Sequence, residues 1–450
     1  MKKTNDIPGP KRLGIFSCIR NLVSDSWAEQ KRLHKKYGDI VYLKYPQKVI
    51  FGFHPEIVNY ILKENSKNFK KGKRFQPLSS LLGNGLVISE GDIWKKSRRI
   101  VGNEFNPKAI KRFVPLFLEE IQEMIETWKK KCEREGGPIE VDINKEMMTL
   151  TYKIIGKALF GKFLGHQADI IQTHLGEATD IIIKRIMTGV SLPKILPTPD
   201  NLAIKRINNE FEQIVYGILD EKENPLDENG PANVLSKLMA ANRKEGKLAL
   251  SRKQMRDEIM TLMLAGHETT SNLLTWTFYL LSKSLDKEKN LLNDLENFDP
   301  ENLEEKTYLD AVILESMRIF PPVPLLSRES IEEDVLLGYK IPKGTTVFVA
   351  AMITQNDPRF FESPETFSPE RFLDKDPYQN RPGSYFPFGL GTRRCIGEEF
   401  ALTEAKIILG TLFKNFHFSL RPGFVPKPVP SITLQAKTGL LMNIKPRTKV

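Results

Sequence analysis

A chain of 450 residues, 40% hydrophobic and 27% charged, is long enough for a large apolar core and has none of the bias of a disordered, fibrous or membrane-dominated sequence. Its net charge of +11 comes from lysines and arginines scattered among acids, with no nucleic-acid-binding motif, so the basic balance does not point to nucleic acid. Three widely separated cysteines, Cys18, Cys132 and Cys395, support neither a disulfide framework nor a Cys-x-x-Cys metal site and fit a reducing, cytoplasmic setting.

Residues 1–10 are polar and lack the apolar centre of a signal peptide or membrane anchor, and Ile7-Pro8-Gly9-Pro10 reads as a rigid lead-in. Residues 25–36 read as a helix, 40–45 and 48–53 as strands about Pro46-Gln47, and 55–63 as a further helix. An irregular apolar passage follows over 69–89, carrying Leu78, Leu81, Leu82, Leu86 and Val87. Trp94 and Arg98, four apart, share one face of the next helix. Positive charge concentrates over 94–99 and 108–112, either a patch that steers an acidic protein or a solvated basic face.

Residues 109–161 are helical with a break at Gly136-Gly137-Pro138, and helices over 169–188 and 201–221 are joined by a semi-rigid connection bearing Pro193, Pro197 and Pro199. Ser251 and Gln254 form a capping box that opens a helix to about Lys283, roughly 50 Å long at 1.5 Å per residue. The apolar part of this helix, 259–281, carries His267 and Glu268 mid-span and reads as a core helix rather than a membrane span. Its middle, Ala265-Gly266-His267-Glu268-Thr269-Thr270-Ser271, is poor helix-forming sequence, and the Thr269 hydroxyl can bond back to the Ala265 carbonyl and loosen the ladder. Taken alone it is a notch for close helix packing.

Glu315 and Arg318 pair one turn apart on a helix stopped by Pro321-Pro322, and Val323, Leu325 and Leu326 continue as an extended apolar segment. Residues 337–340, 345–352, 432–434 and 440–444 read as strands, with a turn at Thr438-Gly439-Leu440.

The chemistry concentrates in Phe386-Pro387-Phe388-Gly389-Leu390-Gly391-Thr392-Arg393-Arg394-Cys395-Ile396-Gly397, which runs into a helical segment over 398–413. Gly389 and Gly391 permit a tight turn and close approach to a large flat group. Cys395 stands at a helix start beside Arg393 and Arg394, where free N–H groups and the helix dipole favour an anion, so an easily ionised, metal-binding thiol is expected. A cysteine considered by itself is more often a buried free thiol. The spacing Phe388-x-x-Gly391-x-Arg393-x-Cys395-x-Gly397 resembles the haem-binding signature of the cytochrome P-450 family at every fixed position, and the resemblance extends from Pro8 to the last strands.

That resemblance implies a mainly α fold with small β-sheets and a single catalytic domain over 1–450, without a membrane anchor or fused reductase. Haem b would lie between the long central helix and the loop bearing Cys395, its axial ligand, whose thiolate pushes electron density onto iron and favours O–O cleavage. Trp94, Arg98, Arg328 and Arg393 become propionate partners, and Phe388 and Gly389 shape the loop beneath the ring. Glu268 and Thr269 match the family's acid–threonine pair, Glu268 feeding protons and Thr269 with a water holding dioxygen. Glu315 and Arg318, with Arg371 in Pro369-Glu370-Arg371-Phe372, become a buried network behind the haem.

Leu82, Val87, Ala265, Val323, Leu325 and Leu440 are expected around the substrate, the last on a turn reaching back into the pocket, beneath a mobile roof formed by the helices over 169–188 and 201–221. The implied reaction is monooxygenation of a lipophilic substrate such as a fatty acid, terpenoid or steroid, with the second atom of O2 leaving as water. The helix and proline-bearing connector before Asn201 resemble bacterial members that hydroxylate fatty acids. Neither a dinucleotide fingerprint in a strand–helix context nor a cysteine cluster is present, so electrons would come from a ferredoxin or flavodoxin with its reductase, docking near Arg98, Arg99 and Arg394. A monomer with no nucleic-acid or membrane partner is expected. Two rivals are a peroxide-driven haem-thiolate peroxygenase, which needs no Glu268 and Thr269 for protons, and a haem-based binding or gas-sensing protein without turnover.

Overall fold

The computed structural model describes residues 2–44, 48–161, 166–193, 195–223, 233–246, 250–303, 307–373, 378 and 381–447, and within them helices dominate over four small sheets. The helix Arg252–Ser282 is buried around most of its circumference, as a helix with apolar and small hydroxyl residues on every side must be. It packs against Ile143–Phe160, Tyr308–Ile319 and Glu398–Asn415, and all other elements are arranged about this group. None of the described helices is long and apolar enough to cross a membrane.

Ser251 caps the long helix as expected, its hydroxyl accepting from the Gln254 N–H at 3.1 Å. The reciprocal half of the capping box is absent. The Gln254 amide instead donates to the Asn84 carbonyl at 2.9 Å and to Glu258 Oε1 at 2.7 Å, because the loop after Leu82 brings a better acceptor within reach. The packing reading of the helix middle also holds at one position: a Cβ on Gly266 would lie 2.8 Å from Ile155 of the neighbouring helix.

The largest sheet orders its strands Ile40–Leu43, Val49–Gly52, Thr346–Ala350, Leu325–Ser330 and Phe69–Lys70. Only Val49–Gly52 against Thr346–Ala350 is parallel. Pro46-Gln47 lies outside the described residues. The expected strand at 337–340 is corrected to a hairpin of Asp334–Leu336 and Tyr339–Ile341, since Leu337 (φ +46°) and Gly338 (φ +80°) form its turn. The stretch read as continuous helix with one break contains a strand, Ile139–Asp142, which joins Leu441–Pro446 and Phe416–Leu420 in a three-stranded sheet. A shorter hairpin pairs Pro428–Pro430 with Leu434–Ala436.

The helices His166–Thr188 and Pro199–Glu223 pack on each other, and the former sends Ile183, Ile186 and Met187 toward the interior space described below.

Glu315 and Arg318 meet as their spacing implied, and Arg371 joins them as the family resemblance implied. Arg318 Nε donates to Glu315 Oε2 at 2.7 Å and Nη2 to Oε1 at 2.9 Å, both side chains being fully buried. Arg371 Nε donates to Glu315 Oε1 at 3.0 Å, and the same oxygen accepts the Ser368 N–H at 3.0 Å. Arg318 also reaches the carbonyls of Gln355 (3.0 Å) and Pro364 (2.8 Å). Both Glu315 oxygens and all three Arg318 nitrogens are thereby satisfied, the condition under which a buried ion pair is tolerated. Replacing Arg318 by Ala leaves the Glu315 charge buried and is expected to cost about 3–5 kcal/mol in denaturant unfolding. A loss below about 1 kcal/mol would contradict this account of the network.

Candidate functional site

A cavity of about 340 Å³ separates the middle of the long helix from the loop before the helix Glu398–Asn415. The loop is closed by the Cys395 N–H donating to the Phe388 carbonyl at 2.8 Å and the Gly389 N–H to the Phe386 carbonyl at 2.9 Å. Its two glycines have different reasons. Both hold positive φ, +71° at Gly389 and +66° at Gly391, but a Cβ on Gly391 would strike the Leu62 carbonyl at 2.2 Å, while Gly389 meets only Leu326 Cδ1 at 3.8 Å. Gly391 therefore seats the loop on the backbone below it, and Gly389 keeps the cavity side clear.

Cys395 lines the cavity, which accounts for its exposure. Burial pushes its thiol up from the ordinary value; the Gly397 N–H, Arg98 and Arg394 pull it down and Glu398 adds to the rise. The expectation of a readily ionised thiol is corrected accordingly: desolvation outweighs the helix start and the two cations.

The wall beside the loop is crowded with positive charge. Arg328, on the strand Leu325–Ser330, is buried with Nη1 donating to the Ser327 carbonyl at 2.8 Å, and burial and then Arg393 lower its pKa to about 10. Lys71 faces the same space, and burial, Arg328 and Arg393 hold its ammonium well below the usual lysine range. Arg393 donates to the Ser89 carbonyl at 2.8 Å, pairs with Glu90 and stacks 4.1 Å above the Trp94 ring. Arg98, on the helix Gly91–Gly102 that also carries Trp94, has its guanidinium pKa lowered by burial, an effect the nearby Cys395 opposes. Trp94 thus reaches the site through Arg393. Lys71 escaped the sequence reading, its only signal being the Lys70-Lys71-Gly72 cluster inside a passage otherwise marked by its leucines.

Among the described residues the one ion pair made by these four cations is that of Arg393 with Glu90. Buried cations without anions are costly. A flat group bearing two carboxylates, with a metal over the Cys395 sulfur, fits these residues.

On the opposite wall the Thr269 hydroxyl donates to the Ala265 carbonyl at 2.8 Å, as expected. Glu268 also lines the cavity, its Oε1 accepting from Thr433 Oγ1 at 2.7 Å and Gln435 Nε2 at 2.6 Å, two residues the sequence did not signal. His267 turns away, its Nδ1 3.1 Å from the Met263 carbonyl and its ring edge-on to Tyr152, and burial lowers its pKa.

Leu82, Val87, Ala265, Val323 and Leu325 line the cavity. Leu440 does not. Its N–H donates to Asp142 Oδ1 and its carbonyl accepts from Ile143, each at 2.8 Å, so it is fully buried in the core against the strand Ile139–Asp142. The turn carrying it packs on Asp142, where a Cβ on Gly439 would clash at 2.4 Å. The segment that reaches the cavity is Ser431, Ile432 and Thr433. Arg394 is likewise less available than expected, being paired with Glu398 and stacked 4.2 Å above Tyr378.

Fold and site together fit the haem-thiolate class: a cysteine sulfur and buried cations on one side of the cavity, an acid and an alcohol on the other. The Cytochrome P450 family matches residues 7–447, and the chain belongs to that family. It is similar to cyclooctat-9-en-7-ol 5-monooxygenase of Streptomyces melanosporofaciens, 30% identical over 88% of this chain and 84% of the other. It is also similar to echinocystic acid 23-monooxygenase of Saponaria officinalis, 30% identical over 86% of this chain and 77% of the other. The crystal structure of CYP175A1 from Thermus thermophillus shares the fold with a TM-score of 0.76 and 27% identity, covering 98% of this chain and 100% of that one. The cofactor of the family is protoporphyrin IX haem, and the protein is a monooxygenase that incorporates oxygen from O2 into an organic substrate.

The relocation of the pocket wall is testable. Leu440→Ala is expected to cost about 2–5 kcal/mol of stability, as a buried large-to-small change does, while leaving lipophilic-ligand affinity unchanged in spin-state titration. Ile432→Ala is expected to change that affinity. The reverse pattern would restore Leu440 to the pocket.

Proposed function

We propose that Cys395, Thr269 and Glu268 carry the reaction and that the substrate is a terpenoid. The observation that carries this reading is the placement of Cys395 and the Glu268–Thr269 pair on opposite walls of one apolar cavity. In this reading Cys395 would hold the haem iron through its sulfur; Arg328, Arg393 and Lys71 would take the propionates, backed by Trp94 and Arg98, and Phe388 and Gly389 would form the surface against the ring. Bound haem supplies the activation of dioxygen and the transfer of one oxygen atom. The protein's own work is to present the Thr269 hydroxyl to the cavity, to bring protons through Glu268, and to exclude bulk water with Leu82, Val87, Val323 and the roof residues Ile183 and Ile186. Glu315, Arg318 and Arg371 fix the core behind the haem without touching substrate. The whole chain acts as one catalytic unit.

The apolar lining supports a lipophilic substrate. Among fatty acids, steroids and terpenoids, the last class is favoured because cyclooctat-9-en-7-ol and echinocystic acid, named for two relatives, are terpenoids. A separate ferredoxin or flavodoxin with its reductase delivers electrons at the basic side around Arg99 and residues 108–112, a role in which Arg394, paired to Glu398, takes less part than its position in the sequence implied. Three free thiols support a reducing compartment, the cytoplasm.

Thr269→Ala is expected to lower product formed per dioxygen consumed by about tenfold or more, the released oxygen appearing as hydrogen peroxide, with substrate affinity by spin-state shift unaltered. Full coupling in that variant would contradict the assignment and favour a peroxide-driven enzyme.

A further inference from the structure

Among the described residues lining the cavity, Glu268 is the single acid, and it is held in an asymmetric way. Two donors converge on one of its oxygens, Oε1: the Thr433 hydroxyl at 2.7 Å and the Gln435 amide at 2.6 Å. Both belong to the segment of the hairpin strand Leu434–Ala436, more than 160 residues away in sequence. Thr433 Oγ1 in turn accepts from Asn272 Nδ2 at 3.2 Å, one helical turn beyond Glu268. An amide N–H can only donate, so it occupies a lone pair of the Thr433 hydroxyl and leaves that hydroxyl's proton for Glu268. The second oxygen, Oε2, accepts no hydrogen bond from the described residues. The carboxylate is gripped by one atom and open at the other.

We infer that Thr433 and Gln435 are positioning residues for Glu268: by holding Oε1 they keep Oε2 turned to the cavity, where it passes protons toward Thr269. This rests on the proposed acid role of Glu268 and goes beyond it by naming what orients the acid. A glutamate has three side-chain torsions, and without the grip it is free to turn its carboxylate out of line, so fewer protons arrive in the correct geometry. The arrangement also explains why a short two-stranded hairpin, with little core of its own, stays docked on the long helix. The Thr433 and Gln435 bonds tie it to Glu268, Trp276 Nε1 donates to the Leu434 carbonyl at 2.9 Å, and the Leu434 N–H donates to the Pro322 carbonyl at 2.9 Å. Thr433 lines the cavity directly after Ser431 and Ile432, so the grip on the acid is built into the substrate wall.

The test uses the haem-loaded enzyme with Glu268→Gln, Glu268→Ala, Thr433→Val, Gln435→Leu and the conservative Thr433→Ser. The first readout is hydrogen exchange of the peptide covering 431–437, which needs no turnover. Removing the acceptor in Glu268→Ala is expected to speed exchange there by about tenfold, the size of one or two hydrogen bonds to a charged group. Unchanged exchange would show that the grip does not exist in solution and would end the inference. The second readout is the share of dioxygen released as hydrogen peroxide, with the strongest binder from a panel of terpenoid alcohols present, or with no addition if none binds.

Thr433→Val and Gln435→Leu are each expected to raise the peroxide share relative to the unaltered enzyme by several-fold, up to about tenfold, with ligand affinity unchanged, and Thr433→Ser to restore it. If Glu268→Gln raises the peroxide share while Thr433→Val and Gln435→Leu do not, the positioning role is refuted and the acid role stands. If Glu268→Gln leaves it unchanged as well, the acid role itself is refuted.

Discussion

The geometry of the site depends on one short backbone bond, the Cys395 N–H to the Phe388 carbonyl at 2.8 Å. It folds the loop so that the sulfur faces inward while Phe388 and Gly389 form the floor beside it. The seat for that fold is the Leu62 carbonyl under Gly391, where any side chain would collide. The bond fixes where the sulfur meets the cavity, across from the long helix. There the long helix presents Thr269, whose hydroxyl bonds back to the Ala265 carbonyl at 2.8 Å within an unbroken helix, so the loosening expected of this stretch does not interrupt it.

The protein handles buried charge in two contrasting ways. Behind the site, Glu315 takes hydrogen bonds from Arg318, Arg371 and the Ser368 backbone, and the network closes on itself. At the site, Lys71, Arg98, Arg328 and Arg393 are gathered with Glu90 as their paired acid, and burial depresses all four. The first arrangement specifies a shape that the protein holds without help. The second is electrostatically incomplete, and a dianionic ligand of the kind proposed would complete it, so affinity for such a group and the cost of the uncompensated charges would share one origin.

How much was legible in the sequence follows the range of the interactions. The Thr269 back-bond and the Glu315–Arg318 pair are local patterns, set by spacing within a turn, and the structure places them as read. Leu440 was misplaced because its position is decided by Asp142, nearly 300 residues away, and nothing in Thr438-Gly439-Leu440 reveals that partner. Lys71, Thr433 and Gln435 were invisible for the same reason: a lysine beside another lysine, and two polar residues in a short strand, acquire meaning only once the chain brings them to the cavity. The strand Ile139–Asp142 was lost between two long helices, where four residues of alternating burial give too little periodicity to read. The thiol's ionisation was misjudged because a helix start is a sequence feature and desolvation is not.

The central claim is that Cys395 is the sulfur ligand of a bound haem. It is tested most directly by the carbon monoxide difference spectrum of the dithionite-reduced, haem-loaded protein. A strongly red-shifted Soret band in the unaltered protein, lost in Cys395→Ala, is the predicted result. The same red-shifted band persisting in Cys395→Ala would contradict the account.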